Sequence, residues 1–251
     1  MKNVKPCSII PPTDRQASYN AAITENPSNA SNNASNNEIS ILGIGDYQKL
    51  WKPGRELKIR FLEDVSSSFL RAFSQAITHW IKHVNLKFLI VPKGDADIRI
   101  TTVSGDNKSM IGTDALTFDQ NIATMHLETT PSDEDFESTV LHEMGHALGY
   151  LHEHLHRDAT IPWNREKVYE HYFENYGWDK QRVDENVLTP YSGAIVDTEY
   201  DKHSIMHYEV DKELTDGVWE VSKNTALSEL DIKMAKRTYP EDPNDVPWKN
   251  L

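Results

Sequence analysis

Residues 142–152 read HEMGHALGYLH, and this stretch constrains the fold more than any other part of the chain. On an α-helix, where successive residues are about 100° apart, His146 lies roughly 40° around the axis from His142 and about 6 Å along it. Both imidazoles can therefore reach one ion at the roughly 2.0–2.1 Å of a zinc–nitrogen bond. The chain must carry these two residues on a helix and bring a third ligand to them from elsewhere.

The third ligand cannot come from a straight helix. His152 would then lie about 240° from His146, on the opposite face, and His154 would lie about 12 Å further along the axis. Gly149 resolves this difficulty, because a glycine in the left-handed conformation ends a helix and turns the chain back. The sequence therefore predicts that His152 completes a three-histidine site with one position open for water.

Glu143 lies about 60° from His146 on the side of the helix that faces the ion. The Glu143 side chain does not point in the direction that a third metal ligand on this helix would need. Its carboxylate can instead take a proton from a water molecule that the metal activates. The alternative is a histidine-rich surface helix that binds no metal. The pattern H-E-x-x-H-x-x-G-x-x-H fixes five positions, each with a geometric reason, and favours the metal site.

Composition limits the partners of the chain. Its 251 residues carry a formal net charge of −13, which argues against nucleic acid or an anionic membrane as a partner. No apolar run approaches the roughly 18 residues of a membrane span. No apolar stretch of a secretory signal peptide precedes Pro11, so the compartment stays open: the cytoplasm, or export by a route that reads other signals. The one cysteine, Cys7, allows no intramolecular disulfide, which suits a reducing compartment.

The chain divides near residue 40. Residues 1–39 are expected to form a prosegment-like tail, in which the Asn/Ser-rich stretch 25–38 is too poor in apolar residues to order itself and is predicted to be a flexible linker. Residues 40–251 show regular hydrophobic periodicity and are predicted to form one domain.

Periodicity predicts the elements of that domain. Alternating apolar residues indicate a strand at 57–61, and helical spacing indicates a long helix within 66–84. A second long helix is predicted to begin at Pro131 and Ser132 and to end at Gly149. Further strands are predicted at 87–91, 97–103, 109–116 and 121–128, and further helices at 165–176 and 226–240. The pattern of residues 177–226 indicates mostly loop.

Two motifs carry a family resemblance. The long histidine motif resembles that of the metzincin zinc endopeptidases, and Glu153 directly after His152 is similar to the astacin family. The sequence SIMHY at 204–208 resembles the Met-turn of that family. By this resemblance Met206 packs under the histidines without binding zinc. Tyr208 is, by the same resemblance, a switchable ligand that leaves the metal to hydrogen-bond the transition state.

The likeness runs from Ile41 to Tyr239 and implies an α+β fold. The N-terminal lobe is expected to hold a twisted mixed sheet and two long helices, the C-terminal lobe to be irregular, and the cleft between them to hold one zinc ion per chain. An extended protein or peptide substrate is expected to add to the edge strand near residues 109–116. In the family, Glu153 contacts the processed N-terminus.

The chain also departs from the family. Many secreted members carry two disulfides, and this chain has none. The prosegment aspartate of an F-x-G-D context is missing, since Gly45–Asp46 lacks the phenylalanine and lies within the mature-like start. Cys7 is therefore a candidate zinc ligand of a latent form, because a thiolate binds zinc at about 2.3 Å. The alternative is an incidental cysteine in a tail.

Two functions fit the sequence. The first is a monomeric zinc metalloendopeptidase in which Glu143 acts as the base and Tyr208 stabilises the oxyanion. The second is a catalytically inert zinc-containing module that binds a peptide or a partner. The retained Glu143 and the open coordination position favour the enzyme, because structural zinc normally has four protein ligands. Four further histidines are expected to be structural or surface residues: His154, His156, His203 and His207.

Overall fold

The computed structural model describes residues 6–30, 48–103, 105–191 and 199–241. The strands are β1 (Ser8–Ile9), β2 (Glu56–Phe61), β3 (Lys87–Ile90), β4 (Ile98–Thr101), β5 (Lys108–Ser109) and β6 (Met125–His126). The α-helices are α1 (Arg15–Glu25), α2 (Ser67–Ile81), α3 (Phe136–Ala147), α4 (Arg165–Tyr176), α5 (Lys180–Val183) and α6 (Glu229–Thr238). Short 3-10 helices span Pro27–Asn29, Gly112–Thr117, Glu153–Leu155 and Lys212–Thr215, and a π-helical turn spans Asp184–Leu188.

The strands form one mixed sheet in the order β1-β5-β6-β4-β2-β3. Only the β5–β6 pair is antiparallel among these strands. Helices α2 and α3 pack against each other and share the main apolar core with the sheet. The mixed sheet with two long helices confirms the predicted α+β architecture.

The pattern of apolar residues explains why β2 and α2 form where they do. Leu57 and Ile59 are fully buried while their neighbours Glu56 and Lys58 are exposed, as a half-buried strand requires. In α2 the apolar residues recur at helical spacing, and the Ser66 side chain accepts a hydrogen bond from the backbone of Phe69 to cap the helix. Both elements follow the prediction.

A second, smaller apolar cluster lies in the C-terminal half of the chain. It joins α4, α5 and the turn after them through Val168, Tyr172, Trp178, Val183, Val187, Leu188 and Leu214. Cys7 and Tyr208 belong to this cluster as well. The N-terminal segment therefore packs on the same side of the molecule as the Met-turn. Within the described residues, no helix is long and apolar enough to cross a membrane.

The predicted strand at 109–116 is wrong beyond its first residue. The strand ends at Ser109, and Gly112–Thr117 form a 3-10 helix. The backbone of Thr113 donates to the carbonyl of Lys49 at 3.0 Å, and Gly112 has a φ of +44°. A Cβ atom at residue 112 would lie 1.8 Å from the Lys49 oxygen. The chain turns here because it passes directly under another backbone segment.

Two other boundaries differ from the prediction. Of the predicted strand 121–128, only Met125–His126 are in a strand. Helix α3 begins at Phe136 rather than at Pro131 and Ser132. The Asp133 carboxylate accepts a hydrogen bond from the backbone of Thr130 at 2.8 Å, so these residues form a turn before the helix.

The prediction of a flexible linker from residue 25 does not hold for its first residues. Asn26 and Asn29 are buried, and Pro27–Asn29 form a 3-10 helix. Their amide side chains hydrogen-bond to backbone groups of Leu50 and Trp51, which polar composition alone does not reveal. Residues 31–38 and the Gly45–Asp46 pair lie outside the described residues.

Candidate metal centre and active site

Helix α3 presents His142 and His146 from one face, and backbone carbonyls fix both rings. His142 Nδ1 lies 2.7 Å from the carbonyl oxygen of Ile205, and His146 Nδ1 lies 2.8 Å from that of Tyr150. A hydrogen bond from each Nδ1 to its carbonyl leaves Nε2 as the free lone pair. Both Nε2 atoms are then available to one ion.

The chain turns back at Gly149, which has a φ of +101°. The backbone of Tyr150 donates to the carbonyl of Gly145 at 3.0 Å and ends the helix. His152 is brought round so that its Nε2 lies 3.0 Å from the Nε2 of His146. A Cβ atom at residue 149 would lie 2.9 Å from a Leu50 methyl group, so both conformation and space require glycine here.

The donor atoms suit zinc. One nitrogen from each of His142, His146 and His152 and the sulfur of Cys7 lie within 4.8 Å of one another. A tetrahedral zinc ion holds two nitrogen ligands roughly 3.3 Å apart, so small side-chain movements complete the geometry. The buried His142 Nε2 has no hydrogen-bond partner among the described residues. A buried nitrogen without a partner is costly unless it binds an ion.

Burial also sets the protonation state of the ligands. It lowers the pKa of His142 to about 4 and lowers the pKa of both His146 and His152 well below the usual range. The three imidazoles are therefore neutral at pH 7. Neutral imidazole is the form that binds a metal.

Glu143 is fully buried beside the three histidines. Burial raises the pKa of Glu143 to about 8, although the adjacent Cys7 thiol offsets part of this rise. The two side chains do not meet hydrogen-bond geometry, and both Glu143 oxygens lack a partner among the described residues. A carboxyl group with a pKa near neutrality and free oxygens can accept a proton and release it again.

Met206 lies against α3 directly under the site. A Cβ atom at Gly145 would lie 2.3 Å from the Met206 sulfur, so the sulfur contacts the helix where a side chain is missing. The Met206 carbonyl accepts a hydrogen bond from the backbone of Glu153 at 3.0 Å. The turn that carries Met206 thus touches both the helix with two histidines and the segment with the third.

Asp231 of α6 supports this turn. Its carboxylate accepts hydrogen bonds from the Ser204 hydroxyl at 2.6 Å and from the Ile205 backbone at 2.8 Å. Asp231 also forms a capping box with Ser228 at the start of α6. Because Ile205 in turn holds the ring of His142, the closing helix is connected to the site through Asp231.

Tyr208 is buried and faces the site. Its hydroxyl donates a hydrogen bond to the carbonyl oxygen of Cys7. Its ring centroid lies 4.6 Å from that of His152 and 4.0 Å from that of His154. The structure thus places the tyrosine beside the third histidine and against the N-terminal segment.

Glu153 points away from the ligand atoms and towards Asp201. Its carboxylate accepts a hydrogen bond from the backbone of Asp201 at 2.8 Å, and burial raises its pKa to about 8. Its contact with a processed N-terminus stays a prediction.

The other histidines differ in their surroundings. His154 and His207 are buried and hydrogen-bonded, to the carbonyl of Asn186 and to the hydroxyl of Tyr200 respectively. His203 is exposed, and His156 is half-buried.

Sequence reasoning missed several supporting groups. The Tyr191 hydroxyl accepts a hydrogen bond from the backbone of His152 at 3.3 Å, and the carbonyls of Ile205 and Tyr150 orient the other two ligands. A backbone carbonyl carries no signal in the sequence, and Tyr191 follows a stretch without clear periodicity. Asp231 was visible only as a helix-start residue.

Comparisons with known proteins agree with this geometry. The model of the peptidase family Astacin matches residues 43–240. Meprin A subunit alpha from Mus musculus is 31% identical over 105 residues, which cover 40% of this chain and 11% of that protein. Protein SpAN from Strongylocentrotus purpuratus is 32% identical over 123 residues, which cover 41% of this chain and 18% of that protein. The match therefore spans a small part of each of these relatives.

Solved structures are similar over more of their length. Two structures of myroilysin are 33% and 29% identical to this chain, with TM-scores of 0.71 and 0.63. The first match covers 77% of this chain and 97% of the myroilysin chain. The second match covers 95% of this chain and 92% of the myroilysin chain. The hatching enzyme zinc-protease HCE-1 from Oryzias latipes shares the fold at 17% identity, with a TM-score of 0.53 and coverage of 75% and 92%.

The family match covers most of the chain and includes all three histidines, Glu143, Met206 and Tyr208. The chain belongs to the astacin family of peptidases, whose model spans its residues 43–240.

Proposed function

We propose that this protein hydrolyses internal peptide bonds of other proteins, with one zinc ion held by His142, His146 and His152. The observation that carries the proposal is Glu143, a fully buried carboxyl group beside the three histidines whose oxygens have no described partner. Bound zinc supplies a Lewis acid for the scissile carbonyl and lowers the pKa of a water molecule. The site lies within one chain, so we propose that a monomer is active.

Two side chains would act on the reacting atoms. Glu143 takes a proton from the attacking water onto its carboxylate and gives it to the leaving amine. The Tyr208 hydroxyl, which donates to a peptide carbonyl in this structure, donates to the oxygen that becomes negative in the transition state. Both roles need a group that is buried and already aimed at the reacting carbonyl, and both side chains are buried.

A catalytically inert zinc module is the second candidate. The observation in its favour is the thiol of Cys7, which joins the three histidines as a fourth protein donor, as structural zinc requires. The buried Glu143 argues against the inert module, because a carboxyl group buried without hydrogen bonds is costly and a structural zinc site has no use for it. The Cys7 segment is also separate in sequence from the domain that holds the histidines.

Digestion of casein, with and without a chelator, separates the two candidates. We expect peptide fragments from internal cleavage, loss of activity with chelator, and recovery when about one equivalent of zinc is added back. Protein that binds one zinc ion tightly but never cleaves casein, even after residues 1–39 are removed by limited proteolysis, would support the inert module.

We propose that substrates bind in extended form along β5. The backbone of this strand already pairs with another segment: Ile10 donates to the carbonyl of Ser109 at 2.9 Å, and Ser8 donates to that of Asn107 at 3.2 Å. An edge that accepts one extended strand offers the same hydrogen bonds to a peptide. The substrate would then have to displace residues 8–10.

We propose further that Cys7 keeps the enzyme latent. The thiol is buried next to the histidine nitrogens, and β1 pairs with β5 on the adjacent residues. Burial raises the pKa of the thiol, and the charge of Glu143 raises it further. Zinc would act in the opposite direction, because a cation stabilises the thiolate that ligates it. A ligated Cys7 would fill the position that the attacking water needs.

This part of the proposal has its own test. Cys7→Ala should raise the activity of the full-length protein several-fold under reducing conditions, and X-ray absorption at the zinc edge should show a sulfur neighbour in the unaltered protein. Cys7→Ala with unchanged activity and a zinc spectrum without sulfur would make Cys7 an ordinary residue of the segment.

A further inference from the structure

The N-terminal segment is held by more than its cysteine. Residues 14–30, called the anchor below, contain α1 and the 3-10 helix Pro27–Asn29. They pack on the 3-10 helix Gly112–Thr117 and on the segment 48–55. Ser18 and Ala22 are fully buried, and Asn29 is 1% exposed. Such burial of small and polar side chains is typical of a specific interface.

Asn29 binds the domain through both ends of its amide. Its Nδ2 donates to the carbonyl of Leu50 at 2.8 Å, and its Oδ1 accepts from the backbone of Leu50 at 3.0 Å. The Asn29 carbonyl also accepts from the backbone of Gln48 at 3.1 Å. The same Nδ2 donates to the carbonyl of Ala22 at 2.9 Å, which ties the contact to α1.

Two charged contacts accompany this amide. The Ser18 hydroxyl donates to the fully buried carboxylate of Asp114, whose other oxygen pairs with Lys49 at 2.6 Å. Glu25 pairs with Arg55 and accepts a hydrogen bond from the backbone of Lys52 at 3.1 Å. Removal of the anchor would leave Asp114 buried without its hydroxyl donor, and such a loss is unfavourable.

The anchor and the residues that bind it lie on opposite sides of residues 31–47 in the sequence. The anchor ends at Ala30, and its partners lie at residue 48 and beyond. A cut anywhere between Ala30 and Gln48 therefore breaks none of the described contacts. The hydrogen bond from the backbone of Gln48 to the carbonyl of Asn29 joins the end of the anchor to the start of the described domain.

We propose that the anchor keeps residues 6–30 bound to the peptidase domain after the chain is cut between Ala30 and Gln48. Activation then requires a second event that removes or degrades the bound fragment. The binding part of this proposal stands on the contacts above, and the inhibitory part rests on the proposed role of Cys7. The partner of the domain surface around Leu50 and Asp114 is thus the chain's own N-terminal fragment.

The experiment uses full-length protein with the recognition sequence of a site-specific protease placed within residues 31–39. In the Glu143→Ala background, which prevents self-digestion, the cut protein is passed over a size-exclusion column. We expect the fragment to co-elute with the domain. Asn29→Ala should lower the retained fraction about tenfold, because the variant loses two hydrogen bonds to Leu50 and leaves their buried partners unsatisfied.

Asn20→Ala is the matched control, since Asn20 is an exposed asparagine of α1 within the same anchor, and the fragment should stay bound in that variant. Should Asn29→Ala not accumulate as folded protein, Glu25→Ala provides the same test. Separation of the unaltered fragment from the domain directly after cutting would overturn the proposal.

Peptidase activity after cutting separates the binding of the fragment by the anchor from the inhibition by the Cys7 thiol. With an intact Glu143, cut protein should stay as inactive as uncut protein, whereas cut Cys7→Ala should be active and still retain its fragment. A retained fragment without inhibition would overturn the latency role of Cys7 but not the anchor. A released fragment would overturn the anchor whatever the activity.

Discussion

The imidazole of His154 stacks on the phenol ring of Tyr208, with ring centroids 4.0 Å apart and planes inclined by 25°. His154 is itself held from the C-terminal half, since its Nε2 lies 2.9 Å from the carbonyl of Asn186. The stack fixes the plane of the tyrosine ring. The hydroxyl of Tyr208 is thereby held where it donates to the carbonyl oxygen of Cys7, the residue whose thiol lies with the histidine nitrogens.

We predict that His154→Ala lowers kcat roughly fivefold with little change in KM, because an aromatic stack contributes about 0.5–1.5 kcal/mol and here orients a transition-state group. In a Tyr208→Phe background the same change should have almost no further effect. His154→Phe keeps the stack and is the control. Equal losses in both backgrounds would show that His154 acts independently of Tyr208.

Tyr208→Phe alone tests the hydroxyl. It should lower kcat far more than it raises KM, since a hydrogen bond to the developing oxyanion exists only in the transition state. The loss is expected to be about 10²–10³-fold, the range for removal of one oxyanion donor. Steady-state kinetics on one peptide, in protein activated by Cys7→Ala, provide both constants. A rise in KM alone would make Tyr208 a substrate-binding residue.

Glu143→Ala should keep about one zinc ion per chain while nearly all peptidase activity is lost. The reason is that Glu143 lies beside the three histidine ligands without being needed to hold the ion. Metal analysis after dialysis and casein digestion measure the two properties in the same sample. Loss of zinc, or undiminished turnover, would remove Glu143 from the role of general base.

The convergence of the three histidines could be predicted because it depends on local spacing. His142 and His146 share a helix face, and a glycine at residue 149 is needed to bring His152 to them; its φ of +101° has that effect. The capping residue Ser228 and the apolar face of α2 also follow from short-range patterns.

Long-range backbone contacts could not be predicted. The turn at Gly112 depends on the carbonyl of Lys49, which is distant in sequence. Asn29 looks like part of a polar linker until its amide meets the backbone of Leu50. In both cases the deciding partner is a peptide group, which every residue possesses and which leaves no trace in composition.

Gly145→Ala should destabilise the protein, although alanine normally favours a helix over glycine by about 1 kcal/mol. The new methyl group would lie 2.3 Å from the Met206 sulfur, and overpacking of a core costs about 1–3 kcal/mol. Urea unfolding of Gly145→Ala, alone and together with Met206→Ala, measures the coupling. A stabilising effect of the single change would mean that Met206 moves freely away from α3.

Asp231 provides the last test, because it joins the closing helix to the metal centre. Ser228→Ala removes the helix cap and the hydrogen bond from the Ser228 hydroxyl to the Asp201 carboxylate, and it should cost about 1–2 kcal/mol of unfolding free energy. Asp231→Ala also leaves the Ser204 hydroxyl and the Ile205 amide without their acceptor, so a loss of roughly 2–4 kcal/mol is expected. Since the Ile205 carbonyl orients His142, Asp231→Ala should weaken zinc binding by about tenfold or more. Urea unfolding and competition with a chelator measure the two effects. If both variants lose the same stability and keep the same zinc affinity, Asp231 is a helix cap without influence on the metal.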